Sequence, residues 1–211
     1  MLADHAGRIL FPEVKLLTVI GRLAFPLFAY MIAEGCRYTR NKKKYVLIMA
    51  GLAVGCQAVY FVADRSLYMN VLFTLVLSVL LIFSVDNFLK KKNVLSFSGA
   101  LGMSFLAVFL TLILPELLSS TDYKIDYSLA GVLIPVAVYF APKGLPRTAV
   151  FAVMLCVLSL DMGGIQWFSL LCVPLVMLYN GKRGRLRLRW LFYIFYPSHL
   201  AVLYLISLLI K

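Results

Sequence analysis

From Asn93 to Pro115 the chain runs without one charged residue, and comparable apolar stretches recur along its length. Several approach the roughly 20 residues needed to cross the hydrocarbon core of a bilayer. Lipid offers no partner to backbone N–H and C=O groups, so such a segment must be a helix or a strand of a closed barrel. The stretches are unbroken and do not alternate with polar residues, which excludes the barrel. Composition agrees: 63% of residues are hydrophobic and 14% charged, against about a quarter charged in soluble domains. The sequence therefore predicts an all-α, polytopic integral membrane bundle with residues 1–211 as a single domain.

Charged and turn-forming clusters divide the chain into a half segment at 1–11 and runs near 15–36, 45–63, 70–89, 94–114, 126–141, 147–161, 165–180 and 190–210. Eight to nine transmembrane segments are expected, those at 126–141 and 147–161 being short. No internal repeat, low-complexity region or soluble domain interrupts them. The net charge of +12 does not point to nucleic acid, because its distribution is that of a membrane protein. The loops at 37–44, 90–93, 142–147 and 181–189 hold 15 of the 21 Lys and Arg residues. They alternate with loops carrying Glu13, Asp64, Glu116, Asp122, Asp126 and Asp161. By the positive-inside rule the basic loops face the cytoplasm. The membrane expected is the bacterial cytoplasmic (inner) membrane.

This orientation makes the helix at 15–36 run inward, so the opening segment must rise to meet it from the cytoplasm. Eleven residues cover about 16 Å of the roughly 30 Å required. The expectation is that the natural chain begins upstream of Met1; a re-entrant first segment is the alternative. The opening stretch has neither the basic start nor the small-residue cleavage site of a signal peptide. The four cysteines, Cys36, Cys56, Cys156 and Cys172, show no C-x-x-C spacing and read as packing residues, with no metal or disulfide implied.

Polar groups inside a bilayer are costly and mark functional sites by default. Here they are Asp4, His5, Arg22, Glu34, Asn70, Gln166 and His199. Most fall toward the outer halves of their helices; Glu34 lies at the inner end. One reading is structural: Asp4, Arg8 and Arg22 neutralise one another, and Asn70 or Gln166 bridges helices. The other is a proton-transfer site, since an embedded imidazole beside a carboxylate and a deep arginine is what such chemistry requires. A second candidate is the inner face. There Asn180-Gly181-Lys182-Arg183-Gly184 sets two cations between glycines whose backbone N–H groups can approach a phosphate.

The stretches ADHAGRILFP, IGRLAFPLFAYMIAEGCRYTRNKKKY, NVLFTL, DYSLAGVL, LYNGKRG and FYIFYPSHL together resemble the TraX family of conjugal-transfer and pilin-acetylation proteins. That family is similar to the wider transmembrane acyltransferase superfamily. Its members usually carry a complete first helix ahead of the DH pair, of which this sequence has only the second half. The resemblance implies acetyl transfer from cytoplasmic acetyl-CoA to an exported protein N-terminus such as pilin, or to an envelope glycan or lipid. It implies His5 as general base; the physical reading adds Asp4 as its orienting carboxylate and Arg22 as the deep cation, with pairing of Asp4 to Arg8 one turn on as the alternative. Asn70, Asp126, Gln166 and His199 are the expected acceptor-path and substrate-binding residues. Arg37, Lys44, Asn180, Lys182 and Arg183 are expected to receive the polyanionic head of acyl-CoA. The expected partners are thus membrane lipids, acyl-CoA and the acceptor. A transporter and a non-catalytic assembly protein are the competing functions. Pro26 and Pro197 would supply a transporter's broken helices, but the absence of an internal repeat counts against it.

Overall fold

The computed structural model describes residues 2–11 and 13–181, together with Phe195, Ser198, His199, Val202, Leu203 and Ile206. Among these the chain is helical, and a single isolated bridge joins Met69 to Ile125. The elements are α1 (Leu2–Ile9), α2 (Lys15–Arg22), α3 (Ala24–Tyr38), α4 (Lys42–Asp64), α5 (Val71–Lys91) and α6 (Val94–Val108). There follow a π-turn (Phe109–Ile113), α7 (Leu114–Leu117), α8 (Ser128–Phe140), α9 (Leu145–Met162), a 3₁₀ segment (Gly164–Leu171) and α10 (Cys172–Met177).

Three consecutive helices start the same way. Asn41, Asn70 and Asn93 precede α4, α5 and α6, and each side-chain oxygen accepts from a backbone N–H of the first turn, at 2.9, 3.0 and 2.8 Å. These are donors that the helix cannot satisfy internally. Prolines set the irregularities. Pro26 lacks the N–H that would reach the carbonyl of Arg22, and the helix is interrupted at Leu23, between α2 and α3. Pro115 likewise cannot bond Thr111, and the preceding turn widens so that Leu114 N–H bonds Phe109 C=O.

Five helical stretches are long and apolar enough to cross a membrane: Lys15–Tyr38, Lys42–Val62, Val71–Lys91, Val94–Leu117 and Leu145–Met162. Ser128–Phe140 and Gly164–Met177 are apolar but shorter. The expected eight to nine full spans are therefore not met among the described residues. Thirteen residues of α8 rise only about 20 Å. That length suffices because α8 is buried among α3, α5 and α9 and need not face lipid from end to end. The run at 147–161 proves longer than expected, since Pro146 is accommodated in the first turn of α9. The run at 190–210 lies almost wholly outside the described residues.

The center of the bundle is α5, packed by α3, α4, α6 and α8. Close approach to α8 depends on Gly131, where a Cβ would stand 2.4 Å from Tyr127 Cβ and 3.1 Å from Thr74 Cγ2. Ser78 Oγ donates across that contact to the carbonyl of Val132 at 2.8 Å. The basic loops at 37–44, 90–93 and 142–147 gather at one end of the bundle with Asn180 and Gly181. The opposite end holds residues 11, 13–14, 65–70 and 121–127 with Gly163. Several ties cross within each end: Lys42 Nζ to Asp86 Oδ2 at 2.7 Å at the basic end, and Leu67 N–H to Asp122 Oδ1 at 3.0 Å at the other.

Candidate functional site

The first cluster depends on a tight helical hairpin. At Gly21 an added Cβ would stand 2.3 Å from Asp4 Cβ, and at Gly7 it would meet Leu17 Cβ at 3.0 Å. Only glycine at these places lets α1 lie against α2. That approach sets Asp4 Oδ1 2.7 Å from Arg22 Nη2, both groups buried. Arg22 Nη1 also donates to Gln166 Oε1 at 3.3 Å. On the next position of α1, His5 faces His199, with ring centroids 5.4 Å apart. His199 Nδ1 lies 2.8 Å from the carbonyl of Phe195. A carbonyl only accepts, so Nδ1 carries the proton, and in the neutral ring Nε2 keeps its lone pair. Asp126 and Tyr127 lie within electrostatic reach of Arg22, and Tyr127 stacks on Phe25 at 3.7 Å.

The 3₁₀ segment completes this cluster. In a 3₁₀ helix residues three apart eclipse one another, so Gln166, Ser169 and Cys172 share a face. Gln166 meets Arg22, and Cys172 Sγ donates to the carbonyl of Leu23 at 3.1 Å. Ser169, between them, is thereby turned toward the α2–α3 junction. Ser159 Oγ donates to the carbonyl of Gln166 at 3.2 Å and fixes the segment to α9. Three buried donors of this cluster have no partner among the described residues: Arg22 Nε, Gln166 Nε2 and Ser169 Oγ. Leaving such groups unsatisfied costs about 1–3 kcal/mol each, so their clustering suits an incoming acceptor oxygen.

The second cluster lies at the basic end. Glu34 Oε1 accepts from Arg147 Nη1 at 2.8 Å and from Arg37 Nη1 at 3.2 Å. Arg37 Nη2 also donates to the carbonyls of Val138, Tyr139 and Ala141, closing the C-terminus of α8. Beside them opens a cavity of about 400 Å³ whose lining includes Tyr30, Glu34, Lys143, Arg147, Asn180 and Gly181.

Of the residues singled out in the sequence, Asp4, His5, Arg22, Gln166 and His199 are brought together, with Asp126 nearby. Asn180 lines the cavity at the far end. Arg37 stands behind that cavity in the Glu34 cluster, and Lys44 is exposed in the first turn of α4. Lys182 and Arg183 lie outside the described residues. Asn70 is held apart: besides capping α5, its Nδ2 donates to the carbonyl of Ala53 and to Gln57 Oε1, each at 3.0 Å. Sequence reasoning missed Arg147 and Ser169. Arg147 was counted only as an orienting charge, although a buried carboxylate such as Glu34 demands a cation; Ser169 carries no signal within an apolar run.

The TraX protein family matches residues 1–207. This chain belongs to the TraX family. It is also similar to the "Probable fimbrial assembly protein FimC, serogroup H1" of Dichelobacter nodosus, 30% identical over 96% of this chain and 89% of that protein. No solved structure matches. In this TraX protein the two clusters are joined by the same pair of helical spans. Arg22 and Glu34 lie on Lys15–Tyr38, and Ser159 and Arg147 on α9. Each pair is twelve residues apart, about 18 Å along the axis.

Proposed function

We propose that this TraX protein is a membrane acetyltransferase that takes acetyl from cytoplasmic acetyl-CoA and delivers it to an exported or cell-envelope acceptor, a pilin-class N-terminus or an envelope glycan or lipid. The observation that carries this reading is the convergence of half-buried His5 with the buried His199, Asp4, Arg22 and Gln166. A thioester is already activated, so its transfer needs chiefly a base and a cation at the developing oxyanion. The acceptor nitrogen or oxygen attacks the thioester carbonyl carbon, and His5 takes the proton that the acceptor releases. Arg22, with the spare N–H of Gln166 and the hydroxyl of Ser169, faces the oxyanion. Collapse of the intermediate expels the coenzyme thiolate, which recovers the proton, and leaves the amide or ester.

The geometry between the clusters supports the same reading. The basic end faces the cytoplasm, the side of acetyl-CoA, and an extended pantetheine arm is of the order of length that separates the two clusters. The short helices 128–140 and 164–177 count in this reading as partial spans. Family membership and the fimbrial name of the relative support a pilus- or conjugation-related acceptor.

The test is reconstitution of the purified protein in nanodiscs with acetyl-labelled acetyl-CoA, joined to mass spectrometry of pilins and envelope polymers from cells with and without the gene. The expected result is one gene-dependent acetyl group on a defined acceptor and label transfer in the reconstituted system. The name of the fimbrial relative favors a second reading, a non-catalytic assembly protein. Unchanged acceptor masses, together with impaired pilus formation on deletion, would establish that reading in place of acetyl transfer.

A further inference from the structure

We infer that the cavity at the basic end is a phosphate-binding site built on the N-terminus of α9, with Arg147 and Lys143 as its cations. The inference rests on the acetyl-transfer reading only for the source of the phosphate, a coenzyme A thioester; an anionic phospholipid headgroup presents the same chemistry.

Three observations meet there. The first is the helix start. α9 is 18 residues long, is preceded by Gly144 at φ 87°, and has no side-chain cap. Pro146 contributes no N–H, and Gly144, Leu145 and Thr148 line the cavity. The Arg147 N–H is spent on the Gly144 carbonyl at 3.1 Å, so what the uncapped start of α9 offers an anion is chiefly the partial positive charge of a helix N-terminus. The second is Arg147, which is 6% exposed. Its Nη1 and Nη2 go to Glu34 and to the carbonyl of Ala141, while its buried Nε has no partner among the described residues.

The third is charge. Glu34 is a single carboxylate bonded to two guanidinium groups, all largely buried. Buried charge is tolerated when it is paired, and this triad carries one cation too many. Arg37 is directed into the carbonyls at the end of α8, so the surplus positive charge falls on the cavity side, where Lys143 adds to it. An anionic ligand neutralizes that surplus and gives Arg147 Nε an acceptor. The same lining pairs these cations with apolar side chains, Leu145, Val176 and Met177. A ligand with a phosphate head and a less polar arm fits that pairing better than inorganic phosphate does.

The measurement is binding of coenzyme A to the full chain in phosphatidylcholine nanodiscs by titration calorimetry, with native mass spectrometry in discs containing phosphatidylglycerol. Arg147→Gln is expected to weaken coenzyme A binding about tenfold, the loss of one charge-assisted hydrogen bond. Arg147→Lys should recover part of it. Lys143→Gln, at an exposed position where folding is not at stake, should weaken binding severalfold, and the exposed Lys91→Gln should leave it unchanged. If the parent binds no coenzyme A but retains phosphatidylglycerol in a manner sensitive to Arg147 and Lys143, the phosphate site stands and the donor reading loses its support. If the parent binds coenzyme A and neither Arg147→Gln nor Lys143→Gln alters the affinity, the site is overturned while acetyl transfer survives. Insensitivity of both ligands to both positions overturns it as well.

Discussion

The two ends of the bundle treat buried arginine differently. In the cluster on α1, α2 and the 3₁₀ segment, Arg22 has one carboxylate and one amide as partners, and three donors around it are left over. At the basic end a single carboxylate serves two guanidinium groups, and one of these is largely taken up by backbone carbonyls. A buried ion pair by itself says little about purpose, since desolvation offsets much of the attraction. What separates the clusters is the unused remainder: hydrogen-bond donors for an oxygen at one, positive charge for an anion at the other. The difference matches the proposed division of labor, with chemistry at the first and capture at the second.

Loss of His5 should break the contrast most completely. His5→Ala removes the proposed base and is expected to lower acetyl transfer by about 10²–10⁴-fold, while coenzyme A binding at the proposed far-end site should persist. His199→Ala should cost less. The rings face one another at 5.4 Å, and the Phe195 carbonyl orients His199, so an exchange of the two outcomes in a nanodisc transfer assay would move the base to the last helix.

The carboxylates sharpen the comparison through stability. Removing one partner of a buried pair costs about 3–5 kcal/mol, the expectation for Asp4→Ala, which strands Arg22. Glu34→Ala strands two guanidinium groups that then repel each other, and should lie at or beyond the upper end of that range. Thermal unfolding in a fixed lipid reports the order. If Asp4→Ala proved the more damaging, Arg37 and Arg147 would have to be held mainly by their carbonyl partners.

Much of this was legible in the sequence because it follows from polarity alone. Unbroken apolar runs dictate helices, and the alternation of basic loops dictates which ends gather together. Asp4, His5, Arg22, Gln166 and His199 stand out because titratable and amide side chains are costly in an apolar bilayer interior. The same signal also marks Asn70, where burial comes with a helix cap and two further hydrogen bonds. Polarity alone does not separate a cap from a binding group. The span count was not legible either: α8 is shielded by protein, and a shielded helix escapes the length rule that lipid imposes. Arg147 was hidden by its neighbors, since an arginine in a basic loop reads as an orienting charge until the position of Glu34 is known. The 3₁₀ register that turns Ser169 inward depends on the chain reversal at Gly163 and Gly164, both at positive φ.

Ser169 offers a finer cut at the first cluster. As one of three donors proposed to face the oxyanion it should contribute about tenfold to kcat, the equivalent of one hydrogen bond, with KM for acetyl-CoA nearly unchanged because its contact would tighten in the transition state. Ser169→Thr keeps the hydroxyl and should recover part of the loss, whereas Ser169→Ala should not. A change in KM alone would move Ser169 from the oxyanion to ground-state binding.

The smallest effect is expected at the exposed rim opposite the basic end. The hydroxyl of Ser66 and the N–H of Leu67 donate to the Asp122 carboxylate and hold it below the ordinary carboxylate range. A group whose pKa is depressed on folding adds stability above its unfolded pKa, near 4, and loses it as pH falls through the folded value. Asp122 is fully open to solvent, so the contribution is screened and small. Asp122→Asn should therefore lower the melting temperature slightly at neutral pH, and the gap from the parent should close in acid below about pH 4. Folding of the clusters should not depend on it. A gap of equal size at neutral and acid pH would assign the clasp to hydrogen-bond geometry that asparagine fails to reproduce, independent of the carboxylate charge.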